Sequence, residues 1–221
     1  MARRIIDLTY PICEGMTTYP AHWHPFVEIS LLGRHGIENR ETRKVVLGTH
    51  TGTHCDAPRH FIPGGSSVDQ LPLEMLIGPA TVLDFSQSRP LQQMEVSDLE
   101  RQLGPKRPER LLVRFDWSDR WGKMEYYNDH PFFSLTAARW LVDQGVRLVG
   151  MDTPTPDNPK HGRNSELDSP VHKILLENGV ILVEYLCNLR ELRQQEIELL
   201  VLPLKILDGD GAPARCVAIE D

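Results

Sequence analysis

The segment from Gly48 to Phe61 holds the densest set of side chains that could bind a metal or move a proton. His50, His54 and Asp56 supply two imidazoles and one carboxylate, a ligand set that suits Zn²⁺, Mn²⁺ or Fe²⁺ and leaves coordination positions open for water. A flat strand would hold the two histidines about 13 Å apart at ~3.3 Å per residue, so the chain must bend. Gly52 is the natural hinge, because glycine adopts backbone angles closed to other residues. The segment therefore predicts a metal site.

A second group of candidate ligands lies far along the chain. His172 falls in the first turn of a predicted helix, and Glu184 ends the strand that follows it. A short return from helix to strand can bring both residues to one edge of a sheet. A buried carboxylate without a partner is costly, so Glu184 requires either a metal or an Arg or Lys side chain. The histidines around Gly52 could instead make structural hydrogen bonds in the core. Three histidines and an aspartate so close to one glycine argue against this alternative.

Four short apolar runs, each ending in a carboxylate, identify elements that could position these ligands. Runs of this length without polar alternation are typical of strands buried on both faces, as in an α/β fold whose helices cover the sheet. The terminal carboxylates are then expected at a shared edge of the sheet. The runs are Thr81–Asp84, Leu111–Asp116, Arg147–Asp152 and Val180–Glu184.

Helices are predicted between the runs, because serine or Ser-Pro precedes apolar stretches there and glycine follows two of them. The predicted starts are Ser97 with Glu100, Ser134 before Leu135–Gln144, and Ser169-Pro170 before Val171–Asn178, and the stops are Gly145 and Gly179.

The two ends of the chain predict antiparallel strands instead. Near the N-terminus no convincing helix separates the strand candidates Arg4–Leu8, Phe26–Leu32 and Arg43–Leu47, so we expect β-hairpins or a second small sheet. Near the C-terminus, residues 197–207 and 214–219 flank the turn sequence 208–213 and predict a hairpin. Two long loops remain, 117–131 and 153–168, and loops of this length are usually functional or mobile.

Composition excludes several classes of protein. The chain has 221 residues and a formal charge of −7, which argues against a general nucleic-acid binder. A 40% hydrophobic content is typical of a globular protein, and we expect one domain over residues 1–221. Apolar runs are too short to span a membrane, and the N-terminus does not resemble a signal peptide, so we expect a cytosolic protein. The four cysteines lie far apart and are expected to be reduced thiols.

The segment His50–His60 fits the pattern H-x-G-T-H-x-D-x-P-x-H. This pattern resembles the signature of the cyclase-like metal-dependent hydrolases, which include bacterial kynurenine formamidase and isatin hydrolase. The resemblance extends over most of the chain, through residues 130–133 and 150–154 to His172 and residues 184–189.

The resemblance implies a swivelling β/β/α domain with a mixed central sheet, helices packed on it and an N-terminal β-hairpin region. It implies one or two divalent ions, either zinc or manganese. It also implies a homodimer or a higher homo-oligomer. The aromatic segment Trp117–Phe133 supports association, because it holds more apolar side chains than a monomer should expose. At the site, the resemblance implies His50, His54 and Asp56 at one metal, Asp56, His172 and Glu184 at a second, and His60 as the acid/base residue.

Departures from the pattern bear on the substrate. Kynurenine formamidases resemble V-W-P-G-D near the N-terminus, whereas this chain has Tyr19 at the stacking position and lacks the Gly-Asp pair. Tyr19 and Phe61 are predicted to contact a planar substrate; Tyr19 could equally belong to the core, and for Phe61 the core is favoured, because aromatic side chains are more often core than pocket. We expect hydrolysis of an amide, lactam or ester of a small aromatic or cyclic carbonyl compound. The alternatives are kynurenine formamidase itself, a metal-dependent cyclase or dehydratase, and a non-catalytic metal-binding protein.

Overall fold

The computed structural model describes residues 3–162 and 165–221, which form twelve strands and six α-helices. The strands are β1 (Arg4–Asp7), β2 (Glu28–Gly33), β3 (Thr42–Val46), β4 (His54–Asp56), β5 (Ile77–Asp84), β6 (Gln93–Met94), β7 (Arg110–Arg114), β8 (Phe132–Phe133), β9 (Leu148–Met151), β10 (Ile181–Glu184), β11 (Glu196–Pro203) and β12 (Gly211–Glu220). The helices are α1 (His35–Glu38), α2 (Leu73–Leu76), α3 (Val96–Leu103), α4 (Met124–Asn128), α5 (Leu135–Asp143) and α6 (Pro170–Glu177), with 3-10 turns at Pro58–His60, Val68–Gln70, Trp117–Arg120 and Leu189–Glu191.

Eight strands form one mixed sheet in the order β1-β12-β11-β5-β7-β9-β10-β4. Strands β5, β7, β9 and β10 are parallel, so their carboxyl ends meet at one edge, as predicted. Strand β4 pairs antiparallel with β10 on one side and with the first three residues of β12 on the other, which closes the sheet on itself. The predicted fold class, α/β with a mixed central sheet, is confirmed.

Two smaller sheets complete the strand pairing. Strands β2 and β3 form the predicted N-terminal hairpin, and β6 pairs parallel with β8. The C-terminal hairpin of β11 and β12 is also confirmed. One boundary was wrong: Gly211, Ala212 and Pro213 belong to β12 and not to the turn, because their backbone pairs with β4.

The core has two main apolar layers, which explains why the central runs lack polar alternation. One layer packs α3, α5 and α6 against the sheet through buried side chains such as Leu99, Leu141 and Leu175. The other layer lies among α2, β1, β11 and β12 and includes Leu76 and Leu199. The central strands are therefore shielded from solvent.

Only one of the three predicted helix starts has its predicted cap. Ser134 accepts a hydrogen bond from the Ala137 amide at 3.0 Å, which caps α5 as expected. The Ser97 start was wrong by two residues, because Glu95 and Asp98 cap each other's backbone and start α3 at Val96. The Ser169 side chain makes no capping bond to α6. A carboxylate from a distant loop replaces it, as described below.

Of the large apolar side chains in the segment Trp117–Phe133, Met124 alone is largely exposed, at 62%, so the segment presents less apolar surface than expected. Trp117 and Tyr126 are fully buried, and the Trp117 indole nitrogen donates to the Tyr126 carbonyl at 3.1 Å. Part of the predicted loop is α4, and its aromatic side chains pack into this chain's own core. The segment therefore gives no support for association.

Exposed apolar side chains occur instead on residues 26–46, the arm formed by β2, α1 and β3. Phe26 is 76% exposed and Val45 51% exposed. All five residues of β3 are exposed, so the arm packs little against the rest of the chain. Among the helices that the structure describes, we find none long and apolar enough to cross a bilayer.

Candidate metal centre and active site

A sharp turn at Gly52 brings the first two histidines of the motif together. Gly52 has a φ of 60°, in the left-handed region that glycine adopts without strain. The ring centroids of His50 and His54 are consequently 5.0 Å apart. The Gly52 carbonyl accepts a hydrogen bond from His54 Nδ1 at 2.8 Å, which directs Nε2 of that ring towards the site. The hinge predicted at Gly52 is confirmed.

Sheet pairing brings the distant ligands to the same place. Glu184 lies opposite His54 in the register of β10 and β4, and His54 Nε2 is 3.5 Å from Glu184 Oε2 and 3.2 Å from Asp56 Oδ1. From α6, His172 Nε2 lies 3.1 Å from Glu184 Oε1 and 3.4 Å from Asp56 Oδ2. Four residues from two strands and one helix thus surround one buried point.

The donor set fits a divalent metal. Asp56 Oδ2 and Glu184 Oε1 are buried and make no hydrogen bond to any part of the chain that the structure describes. Ligand atoms of His54, Asp56 and Glu184 lie within 4.8 Å of one another, and so do those of His50, Asp56 and His60. Two buried carboxylates this close need compensating positive charge, which a divalent ion held by them and the surrounding imidazoles would supply. Within residues 3–162 and 165–221, histidines and no Arg or Lys pair with Glu184.

Closely packed carboxylates and imidazoles shift one another's pKa values at this buried point. Burial opposes ionisation of Asp56, yet His50 and His60 hold the pKa of that carboxyl well below its usual range. Burial and the adjacent Asp56 carboxylate raise the pKa of Glu184. Burial opposes protonation of His172, but Asp157, Asp56 and Glu184 together raise its pKa. Asp56 and Glu184 therefore compete for the same positive charge. A divalent ion would stabilise the ionised form of both.

His50 lies between two carboxylates, one of which the sequence reasoning missed. Its Nδ1 is 2.8 Å from Asp56 Oδ1, and its Nε2 is 2.8 Å from Asp210 Oδ2. Burial disfavours the charged ring, but the two acids raise the pKa of His50 to about 10. The sequence pattern places Asp210 in a hairpin turn and gives no signal of this contact, which depends on the tertiary pairing of residues 211–213 with β4.

His60 lies at the mouth of the site and is partly exposed. Its Nδ1 is 3.4 Å from Asp210 Oδ2, and its ring centroid is 3.9 Å from that of His50. Burial is the largest influence on this ring and lowers the pKa of His60. A neutral imidazole near these candidate metal ligands is suited to accepting a proton from water at neutral pH.

Asp157 is a second residue that the sequence reasoning missed. Its carboxylate accepts hydrogen bonds from the backbone amides of Val171 at 2.7 Å and His172 at 3.1 Å, which caps α6. The same carboxylate is 2.6 Å from His172 Nδ1. This contact fixes the ring so that Nε2 faces Asp56 and Glu184. Acidic residues in this position behind a metal-binding imidazole orient the ring and increase its basicity.

A cavity of about 540 Å³ opens above these ligands. Tyr19 and Phe61 both line it, as do His60 and His172. The Phe61 ring lies 4.8 Å from that of His172. The cavity therefore combines a polar floor with an aromatic wall, which suits a small planar molecule.

His24, which the sequence reasoning did not single out, also lines this cavity. Its ring lies 5.5 Å from Tyr19 and 6.1 Å from His50 between centroids. Burial is the main cause that lowers the pKa of His24 to about 4, with nearby histidines adding to it. The ring is therefore neutral at neutral pH.

Comparison with known proteins agrees with this geometry. Residues 6–158 match the sequence model of the Cyclase family, described as "Putative cyclase". The chain belongs to the Cyclase family. The resemblance carried by the histidine motif of this cyclase-family chain is thereby confirmed.

Individual relatives of the cyclase-family chain cover nearly its whole length. A kynurenine formamidase from Bacillus cytotoxicus is 29% identical over 96% of this chain and 95% of the relative. An isatin hydrolase bound to the product analogue thioisatinate is 26% identical, with a TM-score of 0.87 over 99% of this chain and 92% of that one. A structure described as a potential metal-dependent hydrolase with cyclase activity is 28% identical, with a TM-score of 0.80 over 100% and 99%.

Replacing Asp157 of the cyclase-family chain with asparagine is expected to weaken metal binding about 10- to 100-fold, the usual effect of losing such an acid behind a histidine. Asparagine keeps the size of the side chain but loses the charge that orients His172. Calorimetric titration of metal-stripped protein with Zn²⁺ or Mn²⁺ measures this. Asp143→Asn, at the exposed end of α5, is the matched control. Unchanged affinity in Asp157→Asn would show that His172 is positioned without it.

Proposed function

We propose that the protein is a metal-dependent hydrolase that opens an amide or lactam bond of a small aromatic or cyclic carbonyl compound. The observation that carries this conclusion is that buried oxygens of Asp56 and Glu184 accept no hydrogen bond from the described residues, below a cavity lined by Tyr19 and Phe61. Kynurenine formamidase and isatin hydrolase, the names of two relatives, denote hydrolysis of an open-chain and a cyclic amide. The predicted enzyme class, a metal-dependent hydrolase, agrees with both.

Five side chains would hold the metal in this proposal: His50, His54, Asp56, His172 and Glu184. A bound divalent ion supplies an activated water and polarises the substrate carbonyl. The aromatic rings of Tyr19 and Phe61 would orient a planar substrate over the ligands and exclude water from one face. Asp157 keeps the His172 ring directed at the carboxylates.

Proton transfer is assigned to His60 in the proposed mechanism. The neutral ring accepts the proton of the attacking water and then donates it to the nitrogen that leaves. Asp210, 3.4 Å from His60 Nδ1, orients the ring and stabilises its charged form between the two steps. The aromatic and acid/base roles proposed here rest on geometry and on the family resemblance.

The proposed metal is Zn²⁺ or Mn²⁺, because mixed imidazole and carboxylate donors suit both. Two ligand groups share Asp56, so the site has donors for one ion or for two. Elemental analysis of protein purified without added metal, followed by titration of the stripped protein, identifies the metal and its stoichiometry.

A direct assay of two amides tests the substrate class. We expect the metal-loaded enzyme to hydrolyse isatin or another amide at least about tenfold faster than N-formylkynurenine, because the Gly-Asp pair is missing after Pro20. Measured kcat/KM values for both compounds, with metal-stripped protein as the control, decide between them. Faster turnover of N-formylkynurenine would favour kynurenine formamidase itself, and no amide hydrolysis under any metal would favour the cyclase or dehydratase alternative.

Association into a homodimer or larger homo-oligomer is also proposed. The support is the arm of residues 26–46, a two-stranded hairpin whose apolar side chains Phe26, Ile37 and Val45 are exposed. Isolated two-stranded hairpins are marginally stable in water, so a partner surface would stabilise this one. We expect light scattering at working concentration to give at least twice the 25.2 kDa chain mass. A monomer would contradict this proposal. The cytosolic location stays a prediction.

A further inference from the structure

The segment Tyr19–Pro25 forms the wall of the cavity at which the sequence departs from the kynurenine formamidase pattern. Two local hydrogen bonds shape it: the Ala21 amide donates to the Tyr19 carbonyl at 2.8 Å, and the His24 amide donates to the Ala21 carbonyl at 3.0 Å. Pro25 then packs on Gly48, where an added Cβ would lie 3.0 Å from the proline ring. The position of His24 is therefore fixed relative to the loop that carries His50.

His24 presents polar atoms that the protein leaves unused. Its ring lies at the cavity wall between Tyr19 and His50, yet its nitrogens make no hydrogen bond to any residue that the structure describes. A neutral imidazole carries one donor and one acceptor. Beside the aromatic rings of Tyr19 and Phe61 in the cavity lining, a polar group of this kind can fix the orientation of a ligand.

We propose that His24 is a specificity-determining residue that hydrogen-bonds a second polar group of the substrate, close to the hydrolysed carbonyl. The distance supports this: His24 lies 6.1 Å from His50, which itself contacts Asp56 at 2.8 Å. A substrate carbonyl held over Asp56 would place a group a few bonds away within reach of His24. The second group would be any hydrogen-bond donor or acceptor a few bonds from the hydrolysed carbonyl, because a neutral imidazole can pair with either. This inference rests on the proposed function.

Two formamides that differ by one carbonyl test it. Formanilide and 2-formamidoacetophenone share the hydrolysed bond, and only the second carries an acetyl carbonyl on the adjacent ring carbon. In His24→Phe, kcat/KM for 2-formamidoacetophenone should fall about tenfold, mainly through KM, the usual worth of one hydrogen bond. The value for formanilide should change less than about threefold. Comparing the ratio of the two values between variants removes their different intrinsic reactivities.

Two further variants separate hydrogen bonding from shape. His24→Gln keeps a donor and an acceptor and should recover most of the ratio, whereas His22→Phe, an exposed neighbour, should leave it unchanged. Equal losses on both formamides in His24→Phe would overturn the inference. If the wild-type enzyme hydrolyses neither formamide, the pair become unreactive ligands, and the proposed function fails only if isatin is not hydrolysed either. Dissociation constants from calorimetry then test the role of His24 alone. Tighter binding of 2-formamidoacetophenone than of formanilide, abolished in His24→Phe, supports the inference. Equal or undetectable binding of the two compounds overturns it.

Discussion

His60→Ala is expected to lower turnover by about 10²–10⁴-fold while the protein keeps its metal and its fold, because a positioned proton-transfer group contributes that much. The pH profile should change with it. A general base must be neutral, and burial lowers the pKa of His60, so the acidic limb of the wild-type profile should lie below the ordinary imidazole value of about 6.5. That limb should vanish in the variant.

Metal content distinguishes this role from that of a ligand. His60 also belongs to one of the two groups of possible metal ligands, together with His50 and Asp56. If His60 binds metal, His60→Ala should lose metal and thermal stability together, since a bound ion stabilises the folded state by mass action. His35→Ala, an exposed histidine of the arm, is the control for histidine replacement. Near-normal activity with metal retained would exclude both roles.

His54→Ala is expected to weaken metal binding by more than about 100-fold, beyond the loss caused by removing a residue that only orients a ligand. The side chain is almost wholly buried, and its Nε2 is 3.2 Å from Asp56 and 3.5 Å from Glu184. Without it, His172 is the one imidazole among the described residues that lies within 3.5 Å of both Asp56 and Glu184. Elemental analysis after dialysis and metal titration of the stripped protein measure the loss.

Thermal unfolding with metal and with a chelator separates lost binding from lost folding. In the wild-type protein the melting temperature should fall when the metal is removed, because the ion binds only the folded state. In His54→Ala that difference should disappear, while the chelated forms of both proteins unfold cooperatively. Full metal stoichiometry and activity in the variant would remove His54 from the site.

Short windows of sequence were enough to predict the buried strands and the bend in the histidine motif. The runs ending at Asp84 and Glu184 are apolar because both faces are covered, and any sequence window shows this. The bend at Gly52 follows from the spacing of His50 and His54 along one strand. These features need no knowledge of distant partners.

Other features depend on partners that sequence spacing does not identify. Asp157 caps α6 and orients His172 from a loop, and Asp210 contacts His50 although 160 positions separate them. Trp117 is buried beside Asp152, whose buried carboxylate accepts a hydrogen bond from the Trp117 backbone amide at 3.1 Å although 35 positions separate the two residues. Such contacts are set by tertiary packing, so a loop rich in aromatic residues was mistaken for a surface.

The double pairing of β4 has a consequence for how this enzyme can change. Both edges of the strand that carries His54 and Asp56 are bonded, to β10 and to β12, so its amides should be among the slowest in the protein to exchange hydrogen with solvent. The segment Tyr19–Pro25, which also lines the cavity, belongs to no strand or helix and pairs with neither β10 nor β12. We therefore expect that exchanging this short segment between relatives changes substrate preference. The strand that carries His54 and Asp56 would stay unchanged in such a chimera.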